Sequence, residues 1–153
     1  MKRYCFLLVL FILAGSVFGQ ARQRDMIYAE KVAFFTRTLK MSPEEARLFW
    51  PVYDEFTELR DSLIAERNRI IQNTGRNHMN MNEEELDDAG DRIVELNLKE
   101  AELRADYHKK FKEVLEPGKA VRVYYAETRF KTYLLNQLRS RREISLENTR
   151  RRF

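Results

Sequence analysis

The chain is 153 residues long, with 28 Lys and Arg against 24 Asp and Glu and a formal net charge of +4. That length fits one domain, and a charged fraction of 34% argues against a thick globular core. A single cysteine excludes a disulfide framework and a multi-cysteine metal site.

The first segment is an address. Lys2 and Arg3 precede an uncharged apolar run from Tyr4 to Phe18, which meets small residues with Val17 and Gly19 at the −3 and −1 positions of a peptidase site. This pattern predicts a cleavable signal peptide over 1–19, with Ala21 as the alternative boundary. The run is shorter than the roughly 20 apolar residues of a membrane-spanning helix, although retention as an anchor stays open. Leu13-Ala14-Gly15 is followed by Ser16, not by a lipid-accepting cysteine. An exported, periplasmic chain argues against nucleic-acid partners. Cys5 leaves with the signal, and loss of Lys2 and Arg3 lowers the net charge from +4 to +2.

The remainder reads as all-α. A first helix is expected from about Arg22 to Leu39, with Tyr28, Val32, Phe35 and Leu39 on one face. A second begins at Ser42, where Ser42, Pro43 and Glu45 supply an N-cap, a first-turn proline and a capping box. Its apolar stripe is Val52, Phe56, Leu59, Leu63 and Ile70, with Ala46, Phe49 and Tyr53 at its head. Pro51 inside it predicts a kink near Arg47 to Pro51.

The Asn-rich stretch from Gln72 to Asn82 contains Gly75, has no periodicity and reads as a loop. Asn82 caps a third helix whose first turn, Glu83, Glu84 and Glu85, suits its positive end. Its stripe is Leu86, Ala89, Ile93, Leu96, Leu103, Tyr107, Phe111 and Val114, interrupted by Glu100. A fourth helix starts at Pro117 and carries Ala120, Val123, Tyr124, Phe130, Leu134 and Leu138. Past about Arg139 the pattern decays, which predicts a helical domain over 20–139 and a basic flexible tail over 140–153.

The outer faces carry charge pairs at i and i+4: Asp88 with Arg92, Glu95 with Lys99, Glu100 with Arg104, Asp106 with Lys110, and Glu127 with Lys131. Such pairs mark solvated helix faces. Long antiparallel helical hairpins with narrow apolar stripes bury little surface alone, which points to a homodimer.

The two proline-led helix starts echo each other. Met41, Pro43, Ala46, Trp50 and Phe56 align with Leu115, Pro117, Ala120, Tyr124 and Phe130. An exported, all-helical chain with two such starts resembles the Spy/CpxP superfamily of periplasmic stress proteins, named for two Leu-Thr-x-x-Gln motifs. Met41-Ser42 here stands where that group has Leu-Thr, and the second start has neither Thr nor Gln. The run Met41 to Ala46 followed by Phe49-Trp50-Pro51-Val52-Tyr53 is similar to a Bacteroidetes branch described as sensors of ECF-type sigma factors. The resemblance implies a curved helical-hairpin dimer. Its activity would be ATP-independent binding of unfolded or misfolded periplasmic proteins, or regulation through a membrane partner. Metal-responsive members also belong to the group.

Candidate client- or partner-binding residues are Phe34, Phe35, Phe49, Trp50 and Tyr53, since aromatics offer large apolar area with a polar edge. Packing of the first helix on the second is the competing reading, favoured by the usual burial of Trp. His78, Met79 and Met81 are candidate ligands for Cu, Zn or Ni, against an ordinary polar loop. His108 is expected to be solvated. The basic end, with Arg139, Arg141, Arg142, Arg150, Arg151 and Arg152, suits anionic lipid or an acidic partner as well as it suits a solubilising tail. There is no Gly-x-Ser-x-Gly, His-Glu-x-x-His or phosphate-cradling loop. The expectation is therefore a non-enzymatic protein.

Overall fold

The computed structural model describes residues 22–150, and within them all side chains but those of residues 144, 145, 148 and 150. The signal peptide expected over 1–19, its expected boundary, Cys5 and residues 151–153 lie outside the described residues. The fold is all-α: four helices and one short 3-10 turn make up almost all of the described chain. Helix α1 covers 22–39. Helices α2, α3 and α4 cover Pro43–Asn77, Glu83–Val114 and Pro117–Arg150.

The caps form as the sequence dictates. Ser42 Oγ accepts from the Glu45 amide at 3.1 Å, and Glu45 Oε2 accepts from the Ser42 amide at 2.7 Å. Asn82 and Glu85 make the same reciprocal box at 2.9 Å in both directions. Each box satisfies two otherwise orphaned amides and fixes where its helix begins.

Two boundaries differ from expectation. The loop expected over Gln72–Asn82 is helical up to Asn77, and only a 3-10 turn, His78–Asn80, and two further residues connect α2 to α3. Asn and Gly are poor at starting a helix, but extending one already formed costs far less than nucleating it. Asn77 Nδ2 also donates to Asn73 Oδ1 at 2.7 Å across the last turn. Likewise α4 continues to Arg150, past the Arg139 at which the apolar stripe ends. The segment after Arg139 holds three Arg, two Glu and one Leu up to Arg150, residues whose intrinsic helix propensity is high without a buried face.

The described chain divides into two compact units. One is Met41–Val121; the other joins the residues up to Lys40 with those from Arg122 on.

In the Met41–Val121 unit, α2 and α3 form an antiparallel hairpin. Its base is aromatic. Phe49, Tyr53, Phe56, Tyr107 and Phe111 are all buried, with Phe49 and Phe56 at ring-centroid distances of 5.6 and 5.7 Å from Phe111, and Phe56 at 5.4 Å from Tyr107. Burying each such side chain stabilises by roughly 1.5–3 kcal/mol. The buried line on α2 is therefore Phe49, Tyr53, Phe56; Leu59, expected in the stripe, is 45% exposed. Pro51 lies within α2 on its exposed side.

Further along the hairpin the seam turns polar. Glu100, the interruption in the α3 stripe, meets Arg67 Nη1 of α2 at 2.7 Å, and the same nitrogen reaches Asn97 Oδ1 at 2.5 Å. Arg92 and Lys110 depart from their expected partners on α3. Arg92 binds Glu66 of α2 at 2.6 Å and Glu95 at 2.5 Å, and Lys110 reaches Glu55 of α2 at 3.4 Å. A facing helix offers them carboxylates that a single-helix pattern cannot reveal. Glu95 with Lys99 and Glu100 with Arg104 do pair as expected, at 2.6 and 3.3 Å.

In the other unit, α1 and α4 share a second aromatic cluster. Phe34 stands 5.5 Å from Phe130 and 6.0 Å from Tyr133, and Phe35 stands 6.3 Å from Phe130. Phe35, Leu39, Val123, Ala126 and Phe130 are buried there. Tyr133 donates to Glu30, and Gln137 Nε2 donates to the same Glu30 oxygen at 3.1 Å. That carboxylate holds the Tyr133 hydroxyl pKa above its ordinary value, with burial adding to the shift.

Lys40 closes α1 in the left-handed region, at φ 52°, a conformation that glycine adopts at helix ends without a Cβ penalty.

Candidate functional site

The two proline-led helix starts come together. Lys119 Nζ lies 2.7 and 2.8 Å from the two oxygens of Glu45. Both side chains are about one-fifth exposed, at 21% each. Glu45 is thus shared between its cap at Ser42 and the ammonium of Lys119. Lys119 first, then the Ser42 amide, holds the Glu45 carboxyl below the usual carboxylate range. Met41, Leu115 and Ala120 of the same segments are buried. The carbonyl of Glu116 accepts from the amides of Lys119 and Ala120 at 2.8 and 2.9 Å, which starts the first turn of α4.

The five aromatic candidates do not form one surface. Phe34 and Phe35 belong to the α1/α4 unit and Phe49, Trp50 and Tyr53 to the other. Phe35 and Phe49 are fully buried and Tyr53 is 1% exposed; Phe34 and Trp50 are half-buried. Trp50 packs edge-on against Phe49 and Tyr53, with centroids at 5.3 and 5.6 Å. Phe35, Phe49 and Tyr53 are thus core, while Phe34 and Trp50 keep part of their surface in solvent. The physical reason is the one that makes aromatics good anchors: large apolar area is withdrawn from water wherever a partner element lies within reach.

The exposed apolar side chains of the hairpin lie elsewhere. Leu48, Leu59 and Ile71 on α2 and Val94 and Leu98 on α3 are 42 to 66% exposed. On α3, Val94, Leu98, Ala101 and Ala105 recur at spacings of four, three and four, all exposed. This is a second apolar stripe with the period of a helix-pairing seam. Gly90 extends it, and no atom lies within 4 Å of where its Cβ would stand. The sequence carried that signal, but the longer stripe ending in Tyr107, Phe111 and Val114 masked it.

The metal candidates sit on the short turn. His78 and Met79 are exposed, Met79 at 84%, and Met81 is half-buried. His78 Nδ1 lies 3.2 Å from the Gly75 carbonyl. A carbonyl only accepts, so the contact is a hydrogen bond when Nδ1 carries a proton. Among the described residues, no three His, Cys, Asp or Glu side chains group around a metal-sized site. His108 is half-buried with its Nδ1 shielded from water, unlike the solvated ring expected.

Among the described residues, no helix is long and apolar enough to cross a membrane. No protein-family model, curated protein or solved structure matches the chain.

Proposed function

We propose that this chain is an exported, non-enzymatic envelope-stress protein of the Spy/CpxP type. It binds exposed apolar segments of unfolded clients without ATP, or reports their presence to a membrane-bound regulator of an ECF-type sigma factor. The observation that carries the reading is the contact between Glu45 and Lys119, which joins the two helix starts on which the resemblance rests. The all-helical hairpin with capped ends agrees with it.

Client contact then falls to the exposed apolar side chains Leu48, Leu59, Val94 and Leu98, since Phe35, Phe49 and Tyr53 are core. Charged neighbours such as Glu95 and Lys99 keep encounter fast and release possible. Light scattering of an unfolded model protein tests this. Suppression of aggregation by near-equimolar chain without ATP, weakened by Leu98→Asp, is the expected result. No suppression by the folded protein favours the dedicated sensor. Tight capture of one membrane regulator is then the outcome to look for.

A second reading is a metal-responsive role. The exposure of His78 next to Met79 on the short turn favours it. Titration of Cu, Zn and Ni into the wild type and into a variant with His78, Met79 and Met81 all replaced by Ala decides it. Equal uptake by both removes these residues from consideration.

A further inference from the structure

The two units carry opposite charge. Residues 22–40 and 122–150 hold twelve Lys and Arg against five Asp and Glu, a net +7; Met41–Val121 holds twelve against nineteen, a net −7. The near-neutral total hides this division. The ion pairs described above also fall in the acidic unit, whereas Arg22, Arg24, Arg139, Arg141 and Arg142 of the basic unit are exposed.

The basic unit also has an unfilled apolar groove. Beyond the Phe34 and Phe130 cluster, α1 and α4 leave a groove of about 450 Å³ walled by Met26, Ile27, Leu134 and Leu138, with Arg141 at its edge. Met26 and Leu138 are 62% and 59% exposed. Two helices alone cannot cover both of their apolar faces, and a water-filled apolar groove costs free energy that an apolar occupant recovers.

We propose that this α1/α4 face docks on a bilayer surface containing anionic phospholipid. Met26, Ile27 and Leu138 enter the interfacial layer, and the flanking arginines engage the phosphate headgroups. The combination fits this occupant on two counts. Arginine pairs with phosphate oxygens through its planar fork of donors. Basic residues beside exposed Leu, Ile and Met on a helical face are the pattern of interfacial, non-spanning attachment. The acidic unit, at net −7, gains no attraction from the same surface. Membrane docking of this face does not depend on client binding by the hairpin.

Flotation of the chain, recovered after export, with phospholipid vesicles tests it. Vesicles of phosphatidylcholine containing about a quarter phosphatidylglycerol should bind the protein at least about tenfold better than phosphatidylcholine alone, and high salt should remove the difference. Leu138→Glu and the pair Arg141→Glu with Arg142→Glu should each lower binding about tenfold. These positions are exposed, so the helical signal should be kept. Val94→Glu, an equally exposed apolar position in the acidic unit, should leave binding unchanged. Equal binding to both vesicle types overturns the proposal, as does equal loss with Val94→Glu. Indifference to Leu138→Glu overturns it too, as does binding of a soluble acidic amphipathic peptide by this face when the vesicles are not bound.

Discussion

Glu45 and Lys119 contact each other across a separation of 74 residues, and 74 is also the offset that superimposes the first proline-led helix start on the second. Equivalent positions of the internal echo therefore touch. Self-contact of equivalent positions is how a two-fold related pair meets, here within one chain. The pair is bidentate and charge-assisted, and Glu45 is held in place beforehand by its capping role at Ser42.

Coupling between these two residues follows. Lys119→Met and Glu45→Gln should each lower the thermal midpoint by a few degrees. The double variant should lose less than the sum, because the second change removes an interaction already absent. Additive losses in a double-mutant cycle would show that the pair contributes nothing beyond the cap.

Acid should expose the same pair. The Glu45 carboxyl is held low in the folded state by Lys119, and Glu55 and Glu95 are held low by hydrogen bonds to Tyr107 and Lys99 respectively. A lowered folded-state value contributes stability that is present above the ordinary carboxylate range and lost as pH falls through the lowered values. Stability should decline below about pH 4.5. Lys119→Met should make that decline shallower. Denaturant midpoints measured across the acid range check both the sign and the difference.

The aromatic base should behave as core. Phe49→Ala or Phe111→Ala should cost about 3–5 kcal/mol, whereas Val94→Ala on the exposed stripe should stay within about 0.5 kcal/mol. Urea unfolding distinguishes the two classes. Similar small losses at Phe49 and Val94 would contradict the burial of the Phe49 ring.

The polar seam should respond asymmetrically. Glu100→Ala alone leaves Arg67 partly buried without its carboxylate and should cost about 1 kcal/mol. Arg67→Met together with Glu100→Leu should recover most of that loss in urea unfolding, because a matched apolar pair fills the same space without desolvating charge.

Lys40 offers a test of backbone strain. Its left-handed φ carries a Cβ cost that glycine does not. Lys40→Gly should therefore stabilise by up to about 1 kcal/mol, and Lys40→Val should destabilise. Calorimetric midpoints of the two variants check the sign.

Residue order alone was enough for the helical class, the end of α1 at Leu39, the Ser42–Glu45 capping box and the Asn82 cap, because propensity and capping are local and act through neighbours three or four positions away. It also marked Glu100 as an anomaly in the α3 stripe. What Glu100 meets was a tertiary outcome, as were the reach of Arg92 and Lys110 across to α2, the burial of Phe35, Phe49 and Tyr53, and the meeting of the two helix starts through Glu45 and Lys119. The persistence of α2 to Asn77 belongs with these, since an already formed helix carries residues that would not have started one. Periodicity reports which residues share a face. It does not report which element covers that face, and cross-helix partners depend on that covering.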